Sequence, residues 1–173
     1  MSLKFKKISD FNRGILHRLL ADAYSFDERC GECWEPDWRD FDNFFFDHIT
    51  IADQCGLITT LNDEPIGHIS WDPRHAPEYI EIGHNCIATK YKGNGYGKIQ
   101  LSEALHRIQQ YEGLKKIVVT TNGLMIPAQR NYESVGFKLV QRRKNVGIAA
   151  FSGETIDYEI VLCACIHNEH ENS

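Results

Sequence analysis

Gly93, Gly95 and Gly97 alternate with Asn94 and Tyr96 between Lys92 and Lys98. Glycine at every second position leaves main-chain N–H groups uncovered, and a helix starting behind them adds positive potential. The run Ile87 to Lys98 therefore reads as a cradle for an anion of diphosphate size. Two familiar phosphate loops do not fit it. A P-loop requires Ser or Thr after its Gly-Lys step, where Ile99 follows Gly97-Lys98. The dinucleotide fingerprint requires Gly or Ala where Lys98 stands.

Proton transfer has candidates just upstream, on the strand-like stretch Tyr79 to Ile87. Glu81 and His84 fall on opposite faces of a regular strand, and either could serve as a general base, directly or through water. His84 titrates nearest neutrality and ranks first, although a core histidine would look the same. Cys86 is a candidate nucleophile, yet buried cysteine is common and needs no such role. Cys30-Gly31-Glu32-Cys33 has metal or redox spacing, which Cys163, Cys165 and His167 could complete as a zinc set. A lone Cys-x-x-Cys is a weak signal, and no metal is expected.

The segment Lys90-Tyr91-Lys92-Gly93-Asn94-Gly95, extended by Tyr96-Gly97, resembles the acetyl-CoA loop of the GNAT N-acetyltransferase superfamily. That pattern is Arg or Gln, two residues, Gly, one residue, then Gly or Ala; Lys90 departs from it at the first position. A second segment in the right order, Ala128-Gln129-Arg130-Asn131-Tyr132-Glu133-Ser134-Val135-Gly136-Phe137, resembles the family's other signature of Ala, three residues, Tyr, three residues, Gly-Phe.

The resemblance implies a GNAT-type α/β fold: a twisted mixed sheet of six or seven strands with four helices and two splayed parallel strands at its centre. It implies acetyl transfer from acetyl-CoA to a primary amine, with Tyr132 protonating the departing thiolate. Cys86, Ile87 and Thr89 would pair with the pantetheine arm, and Lys92, Gly93, Asn94, Gly95, Tyr96, Gly97 and Lys98 would hold the phosphates. Met125 stands where the family often has an Asn that contacts the arm, leaving Asn122 as the nearest substitute or as a turn residue beside Gly123. The acceptor wall would come from the acidic, aromatic stretch holding Tyr24, Phe26, Asp27, Glu28, Trp34 and Glu35, suited to a cationic small-molecule or peptide amine. A non-catalytic acyl-CoA-binding module is the alternative; it would keep the glycines and not need Tyr132.

The elements that must position these residues are legible from periodicity. Ile15, Leu16, Leu19, Leu20 and Ala23 recur at helical spacing behind Asp10, a plausible N-cap. A second helix follows Pro36, with Phe41, Phe44, Phe45, His48 and Ile49 on one face. Leu57 to Leu61 and Ile66 to Trp71 form a hairpin around Asn62-Asp63-Glu64-Pro65. Leu101, Ala104, Leu105 and Ile108 mark the helix behind the glycines, and Ile117 to Thr121 is a buried strand. Pro127 and Gly136 bracket a last helix; Phe137 to Gln141 and Thr155 to Cys165 close the sheet. Strand, turn, helix, strand makes a crossover unit whose two strands should be parallel.

The 173 residues suffice for one well-filled core, and residues 1–173 are read as a single domain. No apolar run reaches the ~20 residues of a membrane span and none follows Met1, so a cytoplasmic protein away from membranes is expected. The net charge of -5 disfavours a nucleic-acid partner but hides a division. Residues 21–50 carry nine acids and two bases, a balance of -7, while residues 90–144 carry eleven bases and three acids, a balance of +8. The expectation is that the basic stretch meets the CoA phosphates and the acidic stretch meets the acceptor. Nothing in the sequence excludes a homodimer.

Overall fold

The computed structural model describes residues 2–162. Seven strands form one sheet: β1 (Leu3–Lys6), β2 (Gly56–Leu61), β3 (Glu64–Asp72), β4 (Ile80–Ile87), β5 (Lys116–Asn122), β6 (Lys138–Lys144) and β7 (Glu154–Val161). Their spatial order is β1-β2-β3-β4-β5-β7-β6. Every neighbouring pair is antiparallel except β4 and β5, which are parallel as the crossover requires. The β2–β3 hairpin turns on Asn62 and Asp63, both at positive φ (50° and 67°), the conformation of a two-residue turn matched to strand twist.

Among the described residues five α-helices cover the sheet: α1 (Ile15–Ala23), α2 (Glu28–Asp47), α3 (Ile49–Cys55), α4 (Tyr96–Ile108) and α5 (Ile126–Ser134). No helix among the described residues is long and apolar enough to cross a membrane. On one face Leu101, Leu105 and Ile108 of α4 and Tyr132 of α5 pack on Leu57, Ile69, Ile80, Ile82 and Ile117. On the other face α1 and α2 pack Leu16, Leu20, Trp38 and Phe45 over Ile58 and Cys86. Alternation along the strands supplies both cores: Leu57 points one way and Ile58 the other.

Two helix ends differ from the expectation for physical reasons. Asp10 lies in a 3-10 turn (Ile8–Asp10) and does not cap α1. The cap comes from α2, whose buried Asp42 accepts from the N–H groups of Gly14 (2.8 Å), Leu16 (3.0 Å) and His17 (3.3 Å). The second helix starts eight residues before Pro36, at Glu28, behind an Asp27 side chain that accepts from Arg29 N–H at 3.0 Å. Pro36 is carried inside it, at the cost of one donor toward the preceding turn. His48, at φ -128° and ψ 55°, ends α2 and opens α3, which is why five helices stand where four were expected.

The feature that positions the site is an unzipping. β4 and β5 pair only from Ile80–Ile82 to Ile117–Val119 and then separate. On its other side β4 slips register against β3: Ile69 pairs with Asn85 but Trp71 pairs with Ile82, so β4 carries one extra residue opposite Ser70. The buried amide of Gln100 on α4 reaches into this place. Its Nε2 donates to His68 O (2.9 Å), Cys86 O (3.1 Å) and Asn85 Oδ1 (2.9 Å), and its Oε1 accepts from Thr59 Oγ1 at 2.7 Å. Gly67 leaves the room: a Cβ there would lie 2.5 Å from Cys86 O and 2.8 Å from Gln100 Oε1.

Replacing Gln100 by Leu keeps the side-chain volume but takes a hydrogen bond from Asn85 and from each of the His68 and Cys86 carbonyls, and leaves the Thr59 hydroxyl without its acceptor. We expect a stability loss of about 3 kcal/mol in denaturant unfolding; a loss below about 1 kcal/mol would mean that water replaces the amide.

Candidate active site

Where β4 and β5 part, a cleft of about 270 Å³ opens. Gly83, His84 and Asn85 of β4 form one wall and Thr120, Thr121 and Asn122 of β5 the other. Met125, Ala128 and Tyr132 close it from the α5 side, and Tyr24, Trp34, Asn145, Ala149 and Ser152 from the opposite face. Apart from His84, the lining is uncharged: hydroxyls, amides and aromatic rings.

Tyr132 is 3% exposed and borders this cleft. Asn85 Nδ2 donates to its hydroxyl at 3.3 Å, so the phenol is tied through Asn85 to Gln100 and Thr59. Burial raises the Tyr132 pKa against the opposing effect of the Asn85 hydrogen bond, so the group is a phenol at neutral pH. Its ring packs edge-on against Phe137, 5.6 Å between centroids, which explains the Gly-Phe that follows α5.

His84 lines the same cleft, with its ring 4.5 Å from that of Phe41 on α2. Burial lowers its pKa, partly offset by Asp37, and leaves it neutral at pH 7. Behind Phe41 lies His68, fully buried, whose pKa burial pushes down to about 3. Glu81 does not reach the cleft. It lines a separate groove with Lys116, Val118 and Asp157. The extra residue in β4 also puts Glu81 and His84 on the same face of the sheet, not on opposite ones, because it inverts the alternation between them.

The glycine run forms an open turn ahead of α4. Gly93 and Gly95 have φ of 78° and 80°, with open space where a Cβ would stand, and Gly95 begins α4 with no side chain capping the helix. Gly97 has a different reason: a Cβ would lie 2.8 Å from Asn131 Nδ2, so it lets α4 approach α5. Asn94 builds the loop itself, its Nδ2 donating to Tyr91 O (3.2 Å) and Lys92 O (3.0 Å).

Lys92 and Thr89, expected at the cofactor, turn toward α1. Lys92 Nζ donates to Ala23 O at the end of α1 and lies 5.4 Å from the Phe26 ring centre. Thr89 N–H donates to Asp22 Oδ2 (2.6 Å) and its hydroxyl to Asp22 O (2.8 Å). Lys90 is exposed near Glu64, at 3.9 Å, and Lys98 is exposed in the first turn of α4. Ala88 N–H donates to Ile66 O on β3 (2.7 Å), so alternation turns the main chain of Ile87 toward the gap. Asn122 lines the cleft but spends its Oδ1 on Leu124 N–H (3.0 Å), a turn-building bond.

Of the expected acceptor wall, Tyr24 and Trp34 border the cleft while Phe26, Asp27, Glu28 and Glu35 do not. Phe26 is 54% exposed. Asp27 pairs with Arg29 at 2.6 Å, Glu35 is held by Arg39 and by His17 (2.9 Å), and Glu28 is exposed in the first turn of α2. The roof is aromatic: Phe151, in the 3-10 turn Gly147–Ser152, packs on Trp34 at 5.5 Å, with the Arg29 guanidinium 4.9 Å over it.

Cys30 and Cys33 sit one turn apart on α2, and burial pushes the Cys30 thiol up to about 11. Cys86 packs with α1 and α2, its thiol pushed up to about 12 by burial. Among the described residues no three His, Cys, Asp or Glu side chains gather to hold a metal; Cys163, Cys165 and His167 lie outside them. Sequence reasoning missed Asn85 and Gln100. Their signal was a polar residue inside an apolar stretch, Asn85 before Cys86 and Gln100 before Leu101.

Comparison with curated proteins finds no match. Solved structures match closely in shape. The ribosomal-protein-S18-alanine N-acetyltransferase of Escherichia coli superposes with a TM-score of 0.71 over 96% of this chain and 98% of its own, at 12% identity. The PaiA N-acetyltransferase of Thermoplasma acidophilum, in complex with coenzyme A, gives 0.71 over 91% and 98% at 17% identity. A GNAT family acetyltransferase of Elizabethkingia anophelis with acetyl-CoA bound gives 0.64 over 92% and 98% at 19% identity. At these identities the likeness speaks for the fold alone. The model of the acetyltransferase (GNAT) family matches residues 16–137, from α1 through the opened β4–β5 pair to the Gly136-Phe137 step behind Tyr132, and on that ground the chain belongs to the GNAT acetyltransferase family.

Proposed function

We propose that the chain transfers an acetyl group from acetyl-CoA directly to a primary amine. The observation that carries this reading is the single cleft between β4 and β5 that Tyr132 and His84 both border. The residues present fit the cofactor. Gly93 and Gly95 with the uncapped start of α4 would hold its phosphates, and the gap beside Ile87 and Asn122 would admit its arm. Two of the similar structures hold coenzyme A or acetyl-CoA. When bound, acetyl-CoA supplies an acyl group activated as a thioester.

His84, neutral because it is buried, has a lone pair to take the proton that the amine nitrogen loses as its C–N bond forms. Tyr132, kept a phenol by the same burial, has a proton for the sulfur released as the C–S bond breaks. Asn85 fixes the phenol's direction from Gln100. The uncharged lining favours the free amine over its ammonium, which is the nucleophilic form. Cys86 is not required: its thiol packs against α1 and α2.

Tyr132→Phe should lower kcat about a hundredfold and leave the KM for acetyl-CoA within about twofold, measured by thiol release with an amine acceptor. Unchanged turnover would remove Tyr132 from acid catalysis.

The lowered pKa of His84 sets a pH dependence. The group accepts a proton only when neutral, so kcat/KM should be flat in this respect near pH 7. It should fall as pH drops through a midpoint below the ordinary ~6.5 of histidine. His84→Gln should lose that acid limb; a limb that persists unaltered assigns it to another group.

A further inference from the structure

A second cavity, of about 370 Å³, adjoins the cleft, and Thr120 lines both. It runs over β4, β5, β7 and β6 beyond the cover of α1 and α2, whose packed cluster draws no residue from β5, β6 or β7. Its walls hold Glu81, Lys116, Val118, Val140, Arg143 and Asp157. Most of this charge is already matched. Lys116 pairs with Glu159 at 3.3 Å and Arg143 with Asp157 at 2.8 Å, while Thr120 also donates to Asp157 at 2.9 Å. Arg74, the base near Glu81 on the β3 side, is held by Asp72 at 2.5 Å. Glu81 itself is half-buried and makes no ion pair among the described residues.

Resting on the acetyl-transfer reading, we propose that this groove receives the far end of the acceptor, which is an aliphatic diamine or oligoamine whose second ammonium binds the Glu81 carboxylate. Glu81 and His84 lie three residues apart on one strand face, so the two ends of the acceptor would be separated by roughly 7–10 Å. Val118, which pairs with Glu81 across β4 and β5, gives a methylene spacer an apolar bed beside it. A peptide is a poorer occupant. The main chain of β5 pairs with β4 over Ile117–Val119 and with β7 along Lys116–Asn122, so the groove floor offers a peptide few main-chain partners. A methylene chain needs none. The neutral cleft and the single unmatched carboxylate thus divide the acceptor into a reacting amine and a retained ammonium.

The test compares 1,7-diaminoheptane with heptylamine as acceptors for the full chain with acetyl-CoA, read by thiol release. The diamine should show a KM about tenfold lower, the return expected of one charge-assisted contact. Glu81→Gln should raise it to the heptylamine value, and Glu81→Lys should raise it further. Equal KM values for the two amines overturn the proposal while leaving acetyl transfer intact. An equal loss of kcat on both amines in Glu81→Gln assigns Glu81 to the chemistry and overturns it too, as does a lysine-bearing peptide preferred over the diamine. If neither amine is acetylated, calorimetry decides: diamine binding that Glu81→Gln abolishes supports the groove, and absence of binding overturns it.

Discussion

One buried amide, that of Gln100, ties α4 to the strand that carries the site. A strand leaving its neighbour exposes main-chain groups that the neighbour would have satisfied, and buried groups of that kind are costly to leave unpaired. Gln100 acts on the other side of β4, where it takes the carbonyls of His68 and Cys86, a pair across β3 and β4, and so fastens α4 to the strand that borders the gap. Its third donor contact, to Asn85, carries the same constraint to the Tyr132 hydroxyl. The close approach at Gly67 and the aim of the phenol therefore depend on one side chain. A shorter side chain on α4 would leave the cleft walls to find other partners.

The elements were legible from residue patterns because burial follows periodicity. Leu101, Ala104, Leu105 and Ile108 all face the core as their spacing requires, and the parallel pairing of β4 and β5 follows from crossover geometry. Tyr132, which borders the cleft, and the glycines, which turn the chain into α4, stood out because their spacing is tied to local backbone geometry. The register slip in β4 was not. A bulge depends on what the neighbouring strand offers, here a single Ser70 opposite the extra residue, and no pattern within β4 records it. That is why Glu81 and His84 come out on one face. The cap of α1 was equally illegible, since Asp42 lies 28 residues from Gly14 and is brought there only by the α1–α2 packing.

Charge illustrates the same difference between local and tertiary information. The basic stretch does not simply wait for phosphates: Lys92 caps α1, Lys116 pairs with Glu159, and Arg143 pairs with Asp157. The carboxylates of the acidic stretch do not line the cleft, although its Tyr24 and Trp34 do: Asp22 binds Thr89, Asp42 caps α1 and Asp47 pairs with Arg13 at 2.5 Å. Two of these links, Asp22 to Thr89 and Lys92 to Ala23, fasten the end of α1 to the loop ahead of the glycines. Each joins a charged side chain to a main-chain group, and Asp22 also acts on the Lys92 charge, so the element that leads to Tyr24 and the element that leads into α4 are held as one unit.

The proposed acid and base owe their readiness to a single force. Burial penalises charge of either sign, so it strips the proton from His84 and keeps the proton on Tyr132. In water near neutral pH the imidazole would be partly protonated and so partly unable to accept, whereas the phenol would be protonated in either place. The shared cleft therefore corrects the base more than the acid. It also sets a limit on the acceptor, because an ammonium drawn fully into an uncharged lining loses hydration without gaining a counter-charge. A carboxylate within the cleft would relieve that cost but would also hold the amine in its unreactive form. Placing the unmatched carboxylate on the far side of Thr120, at Glu81, lets a cationic acceptor be attracted to the sheet face while its reacting nitrogen enters a region that favours its neutral state.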